Sequence, residues 1–199
     1  MSQIHSPLNQ FSKEIMAHRQ ADYPVHPLFL NRWSPRSFST KKVKDEILYT
    51  VLEAARWTPS ANNAQPWRFI VARTKEKLDI FQQFIFERNR LWSDKAPVLI
   101  LLASQKIKED DSFNRFHAFD TGAAWASLAF QAHLLGLSTR AIGGFDTEKA
   151  RNVLNIQDDF ELHAVIALGY QDDIEALDDD KFKELEKPNQ RHPLSESIL

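Results

Sequence analysis

Three short polar stretches carry the residues best suited to holding a ligand. The first is Arg32-Trp33-Ser34-Pro35-Arg36-Ser37-Phe38-Ser39. Arginine presents a planar fork of donors that matches a phosphate, and hydroxyls add single bonds. Read as a solvated turn, the same stretch would only lay arginine stems over a tryptophan. The second is Pro59-Ser60-Ala61-Asn62-Asn63-Ala64-Gln65-Pro66-Trp67. Its small residues let backbone approach a flat polar ligand closely, and its amides can donate and accept along one edge. An ordinary helix-to-strand connection uses the same residue types to hold turns. The third is Gly143-Gly144, where bare N–H groups are open to close approach. Arg191, in the tail, is a further cation able to join Arg32, Ser34 and Arg36 around a phosphate dianion.

Several familiar catalytic devices are missing from the sequence. There is no Gly-x-Gly-x-x-Gly and no Gly-Lys-Ser/Thr loop, so neither a dinucleotide fingerprint nor a P-loop is present. No Gly-x-Ser-x-Gly elbow occurs, and the absence of cysteine removes disulfides, thiolate nucleophiles and cysteine-based metal sites. The seven histidines are scattered, and none forms a zincin-type pair. His133 and His163 fall in apolar elements and are expected to be satisfied core or edge residues; no metal site is expected. A chain without its own nucleophile or acid–base pair suits chemistry carried by a bound cofactor.

The elements that position these stretches follow from periodicity. Ser6-Pro7 can start a first helix running to about Gln20, followed by a proline-containing connector over Tyr23 to Leu30. Ile47, Leu48, Val51, Leu52 and Ala55 predict a helix from Asp45 that Thr58-Pro59 stops. Trp67 to Ala72 has strand character. Thr74 caps a third helix, expected to fray in Glu87-Arg88-Asn89-Arg90. Pro97 to Leu102 is continuously apolar and reads as a central strand covered on both faces. Residues 105–115 lack apolar periodicity and read as a loop or an irregular helix start. From Asp120 to Leu135 a helix rich in alanine carries so little charge that it must pack closely on most sides, and Gly136 can end it. Leu137 to Phe145 reads as strand then tight loop. Asp146 caps a helix to about Leu154, and Glu161 to Gly169 is the last strand. The acidic tail reads as a solvated face.

Composition bounds the rest. The chain has 199 residues, of which 43% are hydrophobic and 26% charged, with a formal net charge of −2. That suits one domain over 1–199, with an N-terminal helix and connector over 1–30 and a C-terminal extension over 171–199. No basic field argues for nucleic acid. The longest apolar run, Ala96 to Ala103, is far short of a membrane span, and the first residues lack an apolar signal core. The expected setting is cytoplasmic.

Taken together the motifs resemble the nitroreductase family of FMN-dependent oxidoreductases over about Arg32 to Pro193. Arg32-Trp33-Ser34-Pro35-Arg36-Ser37-Phe38 is similar to the family's Arg-x-Ser-x-Arg-x-Phe phosphate motif. Pro59, Ser60, Ala61, Asn63 and Gln65 match a loop that in the family reaches FMN from the partner subunit. The segment from Gly136 to Asp146, with Ile142, Gly143 and Gly144, resembles the one whose backbone amide, here that of Gly143, faces flavin N5. Asn89 matches, with loose spacing, a residue at the pyrimidine edge of the ring. Arg191-His192-Pro193 resembles the C-terminal Arg-x-Pro that returns to the phosphate. Asn189 departs from the pattern, since some members carry lysine there; Arg36 could compensate.

The resemblance implies an α+β fold: a central mixed sheet flanked by helices, in a domain-swapped homodimer with FMN at its interface. It implies an NAD(P)H-dependent enzyme in which no side chain is the catalytic group. NADH or NADPH would pass hydride to flavin N5, and a nitroaromatic, quinone or similar conjugated acceptor would take it in a ping-pong cycle. Phe113 and Phe116 either line the substrate side or anchor a loop in the core. Dehalogenation, dehydrogenation or flavin fragmentation on the same fold, or flavin binding without turnover, are the alternatives.

Overall fold

The computed structural model describes residues 10–108 and 110–199. The expected helix start at Ser6-Pro7 lies outside them. Within them, Ser12 Oγ accepts the Ile15 N–H at 3.1 Å and caps α1 (Lys13–His18). The connector is not plain coil. Proline sits at the first position of α2 (Pro27–Asn31), where its missing N–H costs nothing. Next come α3 (Asp45–Arg56), β1 (Trp67–Ala72) and α4 (Lys75–Gln82), the last capped by Thr74 as its spacing predicts. The expected fraying over Glu87–Arg90 does not occur. That run instead opens a new helix, α5 (Glu87–Ser93), anchored by Trp92 at 2% exposure. Then follow β2 (Val98–Gln105), α6 (His117–Leu134), β3 (Ser138–Ile142), α7 (Thr147–Leu154), β4 (Phe160–Gly169) and α8 (Asp180–Glu184). Gly136, at φ 75°, closes α6. Asp146 caps α7 by accepting the Lys149 N–H at 2.9 Å.

The strands form a four-stranded sheet in the order β1-β2-β4-β3. All three pairings are antiparallel, which corrects the expectation of a mixed sheet. The uninterrupted apolar run of β2 reports burial on both faces, and helices cover both faces whatever the strand direction. Side chains alternate accordingly. Leu99, Leu101 and Ala103 face one core with Phe81 of α4, Trp92 of α5 and Phe182 of α8. Val98, Ile100 and Leu102 face the other, with Leu48, Val51 and Ala55 of α3 and Ala124, Leu128 and Ala132 of α6.

Helix α6 begins three residues earlier than Asp120, so that Asp120 lies in its first turn. Its burial within one chain is less complete than its composition predicts. Phe119 is 78% exposed, and Ala118, Gly122 and Ala126, one turn apart, are exposed too. The tail is not merely a solvated face, since Leu177, Phe182 and Glu186 are buried. Among the described residues no helix is long and apolar enough to cross a membrane.

Candidate functional site

The segment after α2 alternates in burial. Trp33, Pro35 and Ser37 are buried, whereas Arg32, Ser34 and Arg36 are partly open. An extended chain sends successive side chains to opposite sides, so the arginine–serine set shares a face while Trp33 turns inward. A carboxylate from the tail holds this segment in place. Glu186 Oε1 accepts the Ser37 N–H, the Ser37 hydroxyl and the Arg36 N–H, each at 2.7 Å, and Oε2 accepts the Arg36 N–H at 2.9 Å. Arg36 lies over the Phe182 ring, 4.0 Å from Glu186 Oε2.

Arg32 and Ser34 line a cavity of about 450 Å³ together with Arg140 of β3 and Asn189 of the tail. Trp125, Ala129 and Phe130 of α6 form its apolar wall. The Arg140 guanidinium donates to the Ser34 carbonyl and lies over Trp92, 5.5 Å from the ring centre. Arg19 ties the two ends of the chain here. It donates to the Leu30 carbonyl, to the Arg32 carbonyl at 2.9 Å and to the Asn189 carbonyl at 2.8 Å.

Positive charge is crowded at this point. Burial, reinforced by Arg191 and Arg32, lowers the Arg19 pKa to about 10. Burial and then Arg36 lower that of Arg140 to about 10, against the opposing pull of Glu186. Arg32 is lowered by burial and by Arg191. Arg191, exposed itself, is therefore close enough for its charge to act on Arg32, although its guanidinium donates to the Asn189 and Gln190 carbonyls. Cations that depress one another in a half-buried pocket favour a multiply charged anion between them.

The 59–65 loop lies elsewhere. None of Pro59, Ser60, Ala61, Asn63 or Gln65 lines the arginine cavity. Its attachments to α6 are the Ala61 N–H to Asp120 Oδ2 at 3.1 Å and a Thr58–Ser127 hydroxyl pair at 2.8 Å. Trp125 and Ala129, each two residues from Ser127, stand about 200° around the helix from it, and Ala126 and Phe130 complete the cavity's side at about 100° and 60° from it. Loop and cavity thus occupy different faces of α6. Asn62, Asn63 and Gln65 hold φ values of 52°, 55° and 46°, and Asn63 and Gln65 are exposed. Left-handed backbone at non-glycine residues is strained, and strain of this kind collects at functional sites.

At the third stretch Asn89 and Gly144 meet. Asn89 Nδ2 donates to the Gly144 carbonyl at 3.1 Å, and a Cβ on Gly144 would stand 2.4 Å from that nitrogen, so any larger residue must push the Asn89 side chain aside. Nothing lies within 4 Å of where a Cβ on Gly143 would be, leaving its backbone beside open space. Ile142 is buried in the core, so only its backbone is available to a ligand. Phe113 and Phe116 are 59% and 41% exposed, so neither is buried within the single chain. Phe113 pairs with Ile107 in an isolated bridge, and Phe116 follows three residues later, just before α6. His163 is satisfied by Ser104 Oγ at 2.6 Å, with His117 on the same hydroxyl at 2.7 Å. His133 differs, because its buried Nε2 has no partner among the described residues. No cluster of metal-ligating side chains occurs among the described residues.

Arg19, Arg140, Asp120 and Glu186 were not singled out by motif. A weak signal exists for Arg140, a lone charge in an otherwise uncharged strand. For Glu186 there is none, since acidic residues are common in the tail.

The sequence profile of the nitroreductase family matches residues 30–92 and 87–170. A crystal structure described as an oxidoreductase containing FMN is 41% identical, covers 91% of this chain and 93% of its own, and superposes with a TM-score of 0.87. A protein of Archaeoglobus fulgidus, whose assigned name pairs NADH dehydrogenase with NAD(P)H nitroreductase, is 27% identical over 150 residues, 73% of this chain and 84% of its own. A Thermus thermophilus protein named NADH dehydrogenase is 27% identical over 173 residues, 71% of this chain and 83% of its own. With more than half its length matched, and with its phosphate-type motif, amide loop and glycine pair all on that fold, the chain belongs to the nitroreductase family.

Proposed function

We propose that this protein is an NAD(P)H-dependent oxidoreductase built as a homodimer, each chain a single domain, with one FMN at each end of the interface. The observation that carries the reading is the arginine cavity. Arg32, Arg140 and Ser34, with Asn189 and the nearby charge of Arg191, offer donors to a phosphate dianion, which would offset the burial that lowers both guanidinium pKa values and, after it, the charges of Arg191 on Arg32 and Arg36 on Arg140. The residues therefore fit the phosphate end of FMN. Open backbone at Gly143, with Asn89 fixed against Gly144, suits a flat ring laid across that corner.

A single chain leaves the amide loop away from this cavity, while the Ala118, Phe119, Gly122 and Ala126 face of α6 stays uncovered. Packing that face on a second copy would bury it and bring the partner's Ser60, Ala61, Asn63 and Gln65 to the ligand. The exchange between chains is then of this loop, because Leu177, Phe182 and Glu186 of the tail pack on their own chain. Bound there, FMN would supply the redox chemistry, accepting hydride from NADH or NADPH at N5 and delivering it to a nitroaromatic, quinone or similar conjugated acceptor in a ping-pong cycle. The chain's own part is to grip the phosphate, expose backbone donors at Gly143 and exclude water with the apolar wall. Exposed Phe113 and Phe116 would border the acceptor side.

Purified protein should carry a flavin absorption band that bleaches within seconds of adding NADH or NADPH without oxygen. The band should return when menadione or nitrofurazone is added. Colourless protein with no affinity for added FMN would refute the proposal. Bound FMN that neither nicotinamide reduces would assign the chain to other chemistry on this fold.

A further inference from the structure

We propose that Asp120 is a positioning residue that holds the 60–65 loop in the shape in which it reaches the partner's cofactor, so that each chain's Asp120 governs the FMN held by its mate. This rests on the shared-site reading above. The loop's internal bonds set its curl. The Asn63 N–H donates to the Ser60 carbonyl at 3.1 Å, the Gln65 N–H to Ser60 Oγ at 3.0 Å, and Gln65 Nε2 to the Asn63 carbonyl at 3.0 Å. None of these sets where the loop points. Nor does the loop relax into a preferred conformation, since Asn62, Asn63 and Gln65 all hold left-handed φ. Its direction must come from outside.

At its exit the Gln105 N–H donates to the Pro66 carbonyl at 2.9 Å. At its entry the restraint on the loop proper is Asp120, whose Oδ2 accepts the Ala61 N–H at 3.1 Å. Asp120 is 3% exposed and has no ion-pair partner among the described residues. A buried carboxylate without a cation is costly to a core. What stabilises it is the first turn of α6, whose N-terminal dipole favours an anion, together with the backbone N–H it receives. The group is thus rigid and aimed at one loop amide. Because loop and arginine cavity lie on different faces of α6, the residue it orients serves the other chain's ligand.

The test begins with FMN affinity. Asp120→Ala should weaken FMN binding roughly tenfold or more, the scale for losing one charge-assisted bond. Far-UV circular dichroism and the dimer's elution volume should stay unchanged. Asp120→Asn keeps an acceptor and should bind within about threefold of the native protein. Equal loss in both variants would show that the hydrogen bond is not the agent and overturn the proposal. Should Asp120→Ala fail to fold, Ala61→Pro removes the donor instead; Ser60, at φ −143° and ψ 154°, already has the extended shape that precedes proline. That variant should show the same loss.

The decisive arm is complementation. A doubly tagged heterodimer of one Asp120→Ala chain and one Arg32→Ala chain concentrates both defects in one site and leaves the other intact. It should bind one FMN per dimer at native affinity, although neither homodimer does. If both of its sites are weak, Asp120 acts on its own chain's ligand and the proposal is overturned. Tight FMN in an Asp120→Ala dimer overturns it too, while leaving the shared site standing. A native monomer that holds FMN would instead sink the shared site, and this inference with it.

Discussion

Replacing Glu186 probes how the phosphate-type segment is held. One buried carboxylate accepts two backbone N–H groups and one hydroxyl from Arg36 and Ser37, with its Oε1 at 2.7 Å from all three donors. Hydrogen bonds to a charged group contribute about 1.5–3 kcal/mol each, though bonds sharing one acceptor do not add in full. In Glu186→Ala water can reach Arg36, which is partly open, but Ser37 is 1% exposed and its two donors lose their partner. We expect a loss of about 3 kcal/mol. For a chain of this size each kcal/mol lowers the melting temperature by about 2–4 °C, so the midpoint should fall by about 6–12 °C. Glu186→Gln keeps one acceptor oxygen but turns an amide toward the Arg36 N–H, and should lose about half as much. Scanning calorimetry at fixed chain and FMN concentration is the assay, because ligand and partner both stabilise by mass action. FMN affinity should fall in the same order. A midpoint within about 2 °C of native for Glu186→Ala would refute the view that the tail carboxylate holds the arginine segment.

Arg32→Ala and Arg140→Met should each weaken FMN by roughly tenfold or more while changing riboflavin affinity little, as measured by fluorescence titration; equal losses for both ligands would mean neither arginine faces the phosphate. Gly144→Ala places a methyl 2.4 Å from Asn89 Nδ2, so it should displace that side chain and slow reduction by NADPH. Adding Asn89→Ala should restore part of the rate, and no effect of Gly144→Ala in stopped-flow traces would show that the corner is not tight. The pKa of His163 lies below its ordinary 6.5, first through burial and then through His117, and that of His133 is lowered by burial and then Arg32. A depressed histidine binds fewer protons folded than unfolded, so its contribution to stability is present above about pH 6.5 and is lost as pH falls through the folded value. The melting temperature should therefore be level from pH 8 to 7 and drop from 6.5 to 5, less steeply in His163→Gln; a rise over that interval would contradict the sign.

Legibility divided by distance along the chain. Thr74 and Asp146 as helix caps, Gly136 as a helix end and Val98 to Leu102 as a doubly covered strand were readable because each depends on neighbours within a turn or on local periodicity. The Arg32–Arg36 motif and the Pro59–Gln65 loop were readable as chemistry, since residue types alone carry donors, charge and size. Strand direction was not, because an apolar run reports burial on two faces and nothing about which way its neighbours point. The function of Arg140 beside Ser34, 106 residues away, and of Glu186 beneath Arg36, 150 away, was equally hidden. Nothing local distinguishes a guanidinium or carboxylate that solvent will surround from one the fold will enclose. That difference is created when β3 and the tail close over the arginine segment and the cost of dehydrating each charge comes to depend on the others.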